Sequence, residues 1–261
     1  MARVTATFIP HQLEIASMAD HSPPDPCALL SLWNDIQPQR RIEYDTWHTL
    51  EHVPERVWVP GFIRGTRYIL EQGAGPRYFS LYELATLDVL NGPTYRDLVE
   101  RPTPWSASMR PSFFAFLRKT GPITSAAGNG AGGTLMVHRV VWPKGKAPAD
   151  AACRSLATDL LNKTLSLGAM RIRLQRVLPT GPQAFVNDDQ APWGDEIIVL
   201  VDLYDGSRHS FISDALTVLF ESSGSLPIWS WEARYRLAAL IDHYEVAGMN
   251  RPAPRVELMP S

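Results

Sequence analysis

The chain has 261 residues and 29.1 kDa, with 25 Lys+Arg against 27 Asp+Glu and a net charge of −2. That balance lacks the basic excess a phosphate backbone needs, so a nucleic-acid binder working by bulk charge is excluded. The 45% hydrophobic and 10% aromatic content is enough for a core, which excludes wholesale disorder.

Residues 1–26 end in Asp20-His21-Ser22-Pro23-Pro24-Asp25-Pro26, three prolines in four positions. Neither a helix nor a central strand accommodates them, so an extended arm is expected. Pro10 and His11 interrupt the apolar residues before them, which reads as no secretory signal. No segment approaches the ~18–20 apolar residues of a membrane span. Cys27 and Cys153 can build neither a disulfide framework nor a four-ligand zinc site. They read as reduced thiols of a cytoplasmic protein.

The apolar run 28–36 predicts a strand, and 41–58 is amphipathic at helical spacing. Strands are predicted at 62–70 and 78–84, around the turn Gly73-Ala74-Gly75-Pro76. Residues 87–100 read as helix except at Gly92-Pro93, and 113–118 as a closing strand. The stretch 121–133 is almost wholly Gly, Ala, Ser, Thr and Asn and reads as a linker. Beyond it come strand 134–142, helix 150–167 stopped by Gly168, and strands 171–177 and 197–203. Helix 208–221 and strand 229–240 complete the second half.

This is β-α-β-β-α-β twice, an internal duplication seen in element order more than in identity. Such a unit is ferredoxin-like, with helices on one face of its sheet. The other face must be covered, and the second copy is the obvious cover. The expected class is α+β: two ferredoxin-like repeats packed sheet to sheet around a barrel-like core. The expected layout is arm 1–26, first repeat 27–120, linker 121–133, second, degenerate repeat 134–242 and tail 243–261.

The densest chemistry is the run 43–56, EYDTWHTLEHVPER, followed by Pro60-Gly61-Phe62-Ile63-Arg64. Together with Tyr78–Leu84 and Pro104-Trp105, it resembles the dimeric α/β-barrel superfamily, in particular its EthD-like branch of small bacterial proteins. The resemblance covers about residues 27–118. It implies a fused dimeric α/β-barrel with a cavity between helix and sheet. It does not fix a reaction, since members include cofactor-free monooxygenases, lactone isomerases, haem aldoxime dehydratases and hydroxynitrile lyases. The first helix of the second half has no Glu-His pair, so a site is expected in the first half alone.

His48-Thr49-Leu50-Glu51-His52 matches H-x-x-E-H, in which two imidazoles at i and i+4 hold a divalent metal beside a carboxylate base. A third ligand is lacking, and Pro54 follows closely. Without metal, His52 is the candidate general acid–base, with His48 and Glu51 tuning it. Arg56 and Arg64 can clamp a carboxylate or phenolate. Tyr44, Trp47, Trp33 and Tyr82 can wall an aromatic substrate. The structural alternatives are a Glu55–Arg56 lock at the helix end, His52 on a backbone carbonyl, and Trp47 and Trp58 in the core. His138 reads as a satisfied core residue, and His209 and His243 as surface groups. Gly128-Asn129-Gly130-Ala131-Gly132-Gly133 matches G-x-G-x-x-G but lacks the helix that a dinucleotide site requires after it.

The expected function is a cofactor-independent acid–base enzyme, a lyase, dehydratase or isomerase, acting on a small, partly apolar metabolite in catabolism or secondary metabolism. The alternatives are a cofactor-free monooxygenase, a haem protein with His52 or His138 as axial ligand, and a non-catalytic ligand-binding or scaffold protein. The expected partner is a small molecule, with no nucleic acid or membrane. The chain is expected as a monomer with pseudo-dimeric halves or as a homodimer.

Overall fold

The computed structural model describes residues 25–178, 194–222, 226–248 and 250–260; the expected arm lies outside them except for residues 25 and 26. The first repeat runs β1 (Ala28–Ile36), α1 (Arg41–Trp47), a π-helical turn (His48–His52), α2 (Val53–Val57), β2 (Phe62–Gly73) and β3 (Tyr78–Leu84). It ends with α3 (Pro93–Glu100), α4 (Pro104–Met109) and β4 (Phe113–Gly128). The second repeat runs β5 (Thr134–Pro143), α5 (Asp150–Thr164), β6 (Ala169–Arg176), β7 (Gly194–Leu203), α6 (His209–Ser222) and β8 (Trp229–Asp242). A short α7 (His243–Val246) follows.

The eight strands close an antiparallel barrel in the order β1-β3-β2-β8-β5-β7-β6-β4. Within it the repeats form sheets β4-β1-β3-β2 and β8-β5-β7-β6, joined at the seams β2–β8 and β4–β6. Successive strand residues face opposite sides. Leu29 and Trp33 therefore enter the barrel with Phe79, Leu81, Leu135, Val137, Ile198 and Leu200, while Leu30 turns to the helices. Each sheet covers the other, as the duplication predicts. At two positions the interior is ionic: Arg173 bridges Glu83 and Asp202, lying 2.8 Å from the latter, with Arg171 3.0 Å from Glu83, and Glu196 lies 2.5 Å from Arg139 and 3.7 Å from Lys119. Opposite charges in contact make that burial tolerable.

The expected linker is corrected by the fold. Through Gly128 it is the second half of β4, and Ile123–Gly128 pairs with β6. Its small residues serve close approach. A Cβ on Gly121 would lie 1.8 Å from the Arg176 carbonyl oxygen, and one on Gly128 would lie 2.0 Å from that of Met170. Helix 41–58 is also not uniform, because the π turn interrupts it. Among the described residues no helix is long and apolar enough to cross a membrane.

Candidate functional site

Pro54 has no N–H to give the carbonyl four residues back, and its ring presses on that carbonyl. The chain widens just before it, and the Val53 N–H donates to the His48 carbonyl, five residues back. A turn closed i→i+5 holds more residues than an α turn and brings residues four apart closer to one azimuth. His48 and His52 accordingly lie side by side, with ring centroids 5.1 Å apart. Trp47 flanks His52 at 4.5 Å, and Tyr44 flanks His48 at 5.0 Å.

Both imidazoles line a cavity of about 910 Å³ between this helix and its sheet. Arg56 continues the helix wall, Asn34, Ser80 and Tyr82 form the sheet wall, and Tyr95, Ser106 and Arg110 come from α3 and its successors. The first residues of β4, Phe113 to Arg118, close one side, where β4 slips register against β1 and Ala115 takes φ 49°. The cavity extends to Trp33, Trp229, Trp231 and Arg139. The Arg139 guanidinium lies 5.2–6.0 Å from those three indoles, and its Nε is 2.5 Å from Glu196. That charge is compensated.

The other end is different. No described lining residue is a carboxylate. Arg56 Nη1 is 3.7 Å from Glu55 Oε2 and has no hydrogen-bond acceptor. Glu55 is itself gripped by Arg251, at 2.6 and 3.0 Å. Arg110 donates to the Val99 carbonyl at 2.7 Å, and burial lowers its pKa. Burial first, then the Arg67 guanidinium, holds the His48 imidazole well below the usual histidine range. For His52 burial comes first, then Arg56 and Arg110. Both rings are neutral at neutral pH. Four buried polar atoms at this end have no hydrogen-bond partner: His48 Nδ1, His52 Nδ1 and Arg56 Nη1 on the helix wall and the Tyr82 hydroxyl on the sheet wall.

Of the residues predicted for the site, His48, His52, Arg56, Trp47, Trp33 and Tyr82 line the cavity, and three do not. Glu51 faces the other way, accepting from the Thr103 hydroxyl and the Arg255 N–H, each at 2.6 Å. Adjacent helical residues point about 100° apart, so His52 inward turns Glu51 outward. Arg64 is bound to Asp242 of β8 at 2.6 Å. Tyr44 is buried behind His48 and donates to Asn34 at 3.0 Å. Among the structural alternatives, Glu55 and Arg56 do meet, whereas His52 caps no carbonyl through Nδ1. His138 lies 3.4 Å from Glu232, and His243 Nδ1 meets the Val57 carbonyl at 2.7 Å. Arg110, Tyr95 and the β4 aromatics were not predicted. The only signal was an arginine just ahead of an aromatic strand.

The donor set does not fit a divalent metal. Two imidazoles face arginines, Glu51 is turned away, and no described cluster gathers three His, Cys, Asp or Glu. Metal-bound histidines, haem ligands included, almost always give the second ring nitrogen an acceptor, and these Nδ1 atoms have none.

No family model matches the chain, and no curated protein sequence matches it. Solved structures do. An anthrone oxidase-like protein is similar at TM-score 0.56 and 10% identity over 87% of this chain and 98% of its own. A candidate monooxygenase from Lactobacillus acidophilus NCFM follows at 0.54 and 10%, over 83% and 97%. Another from Fusobacterium nucleatum stands at 0.51 and 9%, over 83% and 95%. At this identity the likeness concerns the fold. The chain has the dimeric α/β-barrel, ferredoxin-like fold, with both halves in one polypeptide.

Proposed function

We propose that this protein is an enzyme that begins its reaction by taking a proton from a small, planar, partly apolar substrate and holding the resulting anion, without metal or organic cofactor. The observation that carries this reading is the set of atoms without hydrogen-bond partners on the two facing walls: two neutral imidazoles and a guanidinium N–H on the helix, and a phenol on the sheet. Buried polar groups without partners are costly, and an anionic ligand satisfies these.

His52 is the base, with Arg56 and Arg110 the charges closest in influence after burial. A neutral imidazole accepts the proton, and the electron pair stays on the substrate, where the guanidiniums stabilise it. Arginines beside the imidazolium push the proton onward. Its return to another atom is an isomerisation, and loss of a leaving group is a lyase or dehydratase step. His48 packs against His52 and keeps it oriented. Aromatic walls from Trp47, Tyr95 and Phe113 suit a flat ligand. The run 43–64 supports placing the chain in the EthD-like branch.

A second reading passes the same anion to molecular oxygen, and it is supported by a fold shared with proteins named as monooxygenases. The test is proton–deuterium exchange at the acidic C–H of β-dicarbonyl and aryl-ketone probes in D2O. Catalysed exchange that disappears in a folded His52→Ala variant is the expected result; full exchange in that variant overturns the reading. Oxygen consumption with the same probes separates the two readings, and a Soret band in the purified protein would overturn the cofactor-free one.

A further inference from the structure

We propose that Tyr82 is a catalytic hydrogen-bond donor whose phenol O–H, in the cavity that Arg56 also lines, takes the substrate oxygen on which negative charge collects. This deepens the proton-abstraction reading and rests on it. β3 is buried along its whole length, and Tyr82 sits on its helix side, at the cavity wall. Its ring meets Phe62 edge to face at 5.6 Å. Gly65, its partner on β2, leaves the space: a Cβ there would come within 3.1 Å of Tyr82 Cε1 and 2.6 Å of a Val57 methyl.

Packing does not explain the hydroxyl. Phenylalanine would fill the same shape without burying an unpaired O–H, which is costly. The contrast is internal to the molecule. Tyr44 donates to Asn34 at 3.0 Å and Tyr235 to the Pro76 carbonyl at 3.1 Å, whereas the Tyr78 and Tyr82 hydroxyls have no hydrogen-bond partner, and of these two only Tyr82 lines the cavity. Burial also pushes the Tyr82 pKa up, with Arg56 the leading opposing charge, so the group stays protonated and remains a donor. When His52 removes a proton from carbon, the C–H electron pair moves into the adjacent carbonyl and its oxygen becomes the oxyanion. Tyr82 donates a hydrogen bond to that oxygen and transfers no proton, and Arg56 supplies the charge. The helix thus brings the base and the sheet brings a donor, on opposite walls.

The probe is 4-nitrophenol, whose phenolate absorbs differently from its phenol, titrated against wild-type protein, Tyr82→Phe and Arg56→Met. Wild type is expected to prefer the phenolate. Tyr82→Phe is expected to weaken phenolate binding about ten- to hundred-fold while changing phenol binding less than about twofold, the range for a hydrogen bond to a charged group. It is also expected to melt no lower than wild type. Unchanged phenolate affinity in Tyr82→Phe, or no phenolate preference in wild type, overturns the assignment. The deuterium exchange of His52→Ala is read separately. If it is abolished while Tyr82→Phe binds phenolate normally, the donor role falls and the proton-abstraction reading stands. Full exchange in His52→Ala overturns both.

Discussion

The two helix–sheet layers share one order of elements and differ in what fills them. In the second repeat, the faces of α5 and α6 and the sheet form one continuous apolar cluster, from Met136 and Trp142 through Ala157 and Leu160 to Phe220. Small Cys153 and Ala157 let α5 lie close to its strands. In the first repeat, the equivalent layer is split into two clusters, one around Phe62, Tyr82 and Tyr95, the other around Tyr44, Trp47 and Trp105. Two histidines on the π turn face the cavity in this layer. His138, on the sheet of the second layer, has a carboxylate, Glu232, 3.4 Å from its Nδ1, while no described carboxylate lines the cavity that His48 and His52 face. One repeat is a scaffold and the other holds open volume. The difference is concentrated in a single helix that Pro54 prevents from running straight.

The contrast can be broken or sharpened by substitution. The largest effect is expected from His52→Ala, a loss of about 10²- to 10⁴-fold in deuterium exchange, the usual scale for a general base. Leu160→Ala, in the solid layer, should cost about 2–5 kcal/mol in denaturant unfolding and leave exchange unchanged, since it opens a hole in packing and touches no ligand. Glu51→Ala should cost about 1–3 kcal/mol, because it strands the Thr103 hydroxyl and the Arg255 N–H, with the pH profile of exchange unmoved. The most gradual effect concerns acid. His48 and His52 stay neutral when folded, while unfolded they take up protons near pH ~6.5. Below that pH the unfolded state holds more protons, so stability falls as pH drops, by at most about 1.4 kcal/mol per unit for each histidine. A His48→Gln, His52→Gln double variant should flatten that slope in unfolding titrations.

β1 and β3 were legible to the residue, because each is a short, largely apolar run buried on both faces and bounded by turn residues. The second half of β4 was not. Glycine and serine suggest entropy to a reader of composition, and only the Arg176 backbone across the seam shows that they are there for proximity. In the site, the histidines, Arg56, Trp47, Trp33 and Tyr82 were legible as residue types suited to one task. Arg64 misled because its partner, Asp242, is 178 residues away. Glu51 misled because H-x-x-E-H states spacing and says nothing of which side each residue faces. Arg110 and the β4 aromatics escaped notice because the second wall folds in from beyond two further helices.

The tail also has a consequence. Arg251 and Arg255, which follow the second repeat, fasten Glu55 and Glu51 on the back of the first repeat's site helix. In a barrel assembled from two identical chains, every such clasp occurs twice and both halves obey the same two-fold axis. Joining the halves in one polypeptide removes that obligation. A single clasp can serve a single helix, and one half is free to accumulate substitutions that serve rigidity alone while the other keeps its hollow.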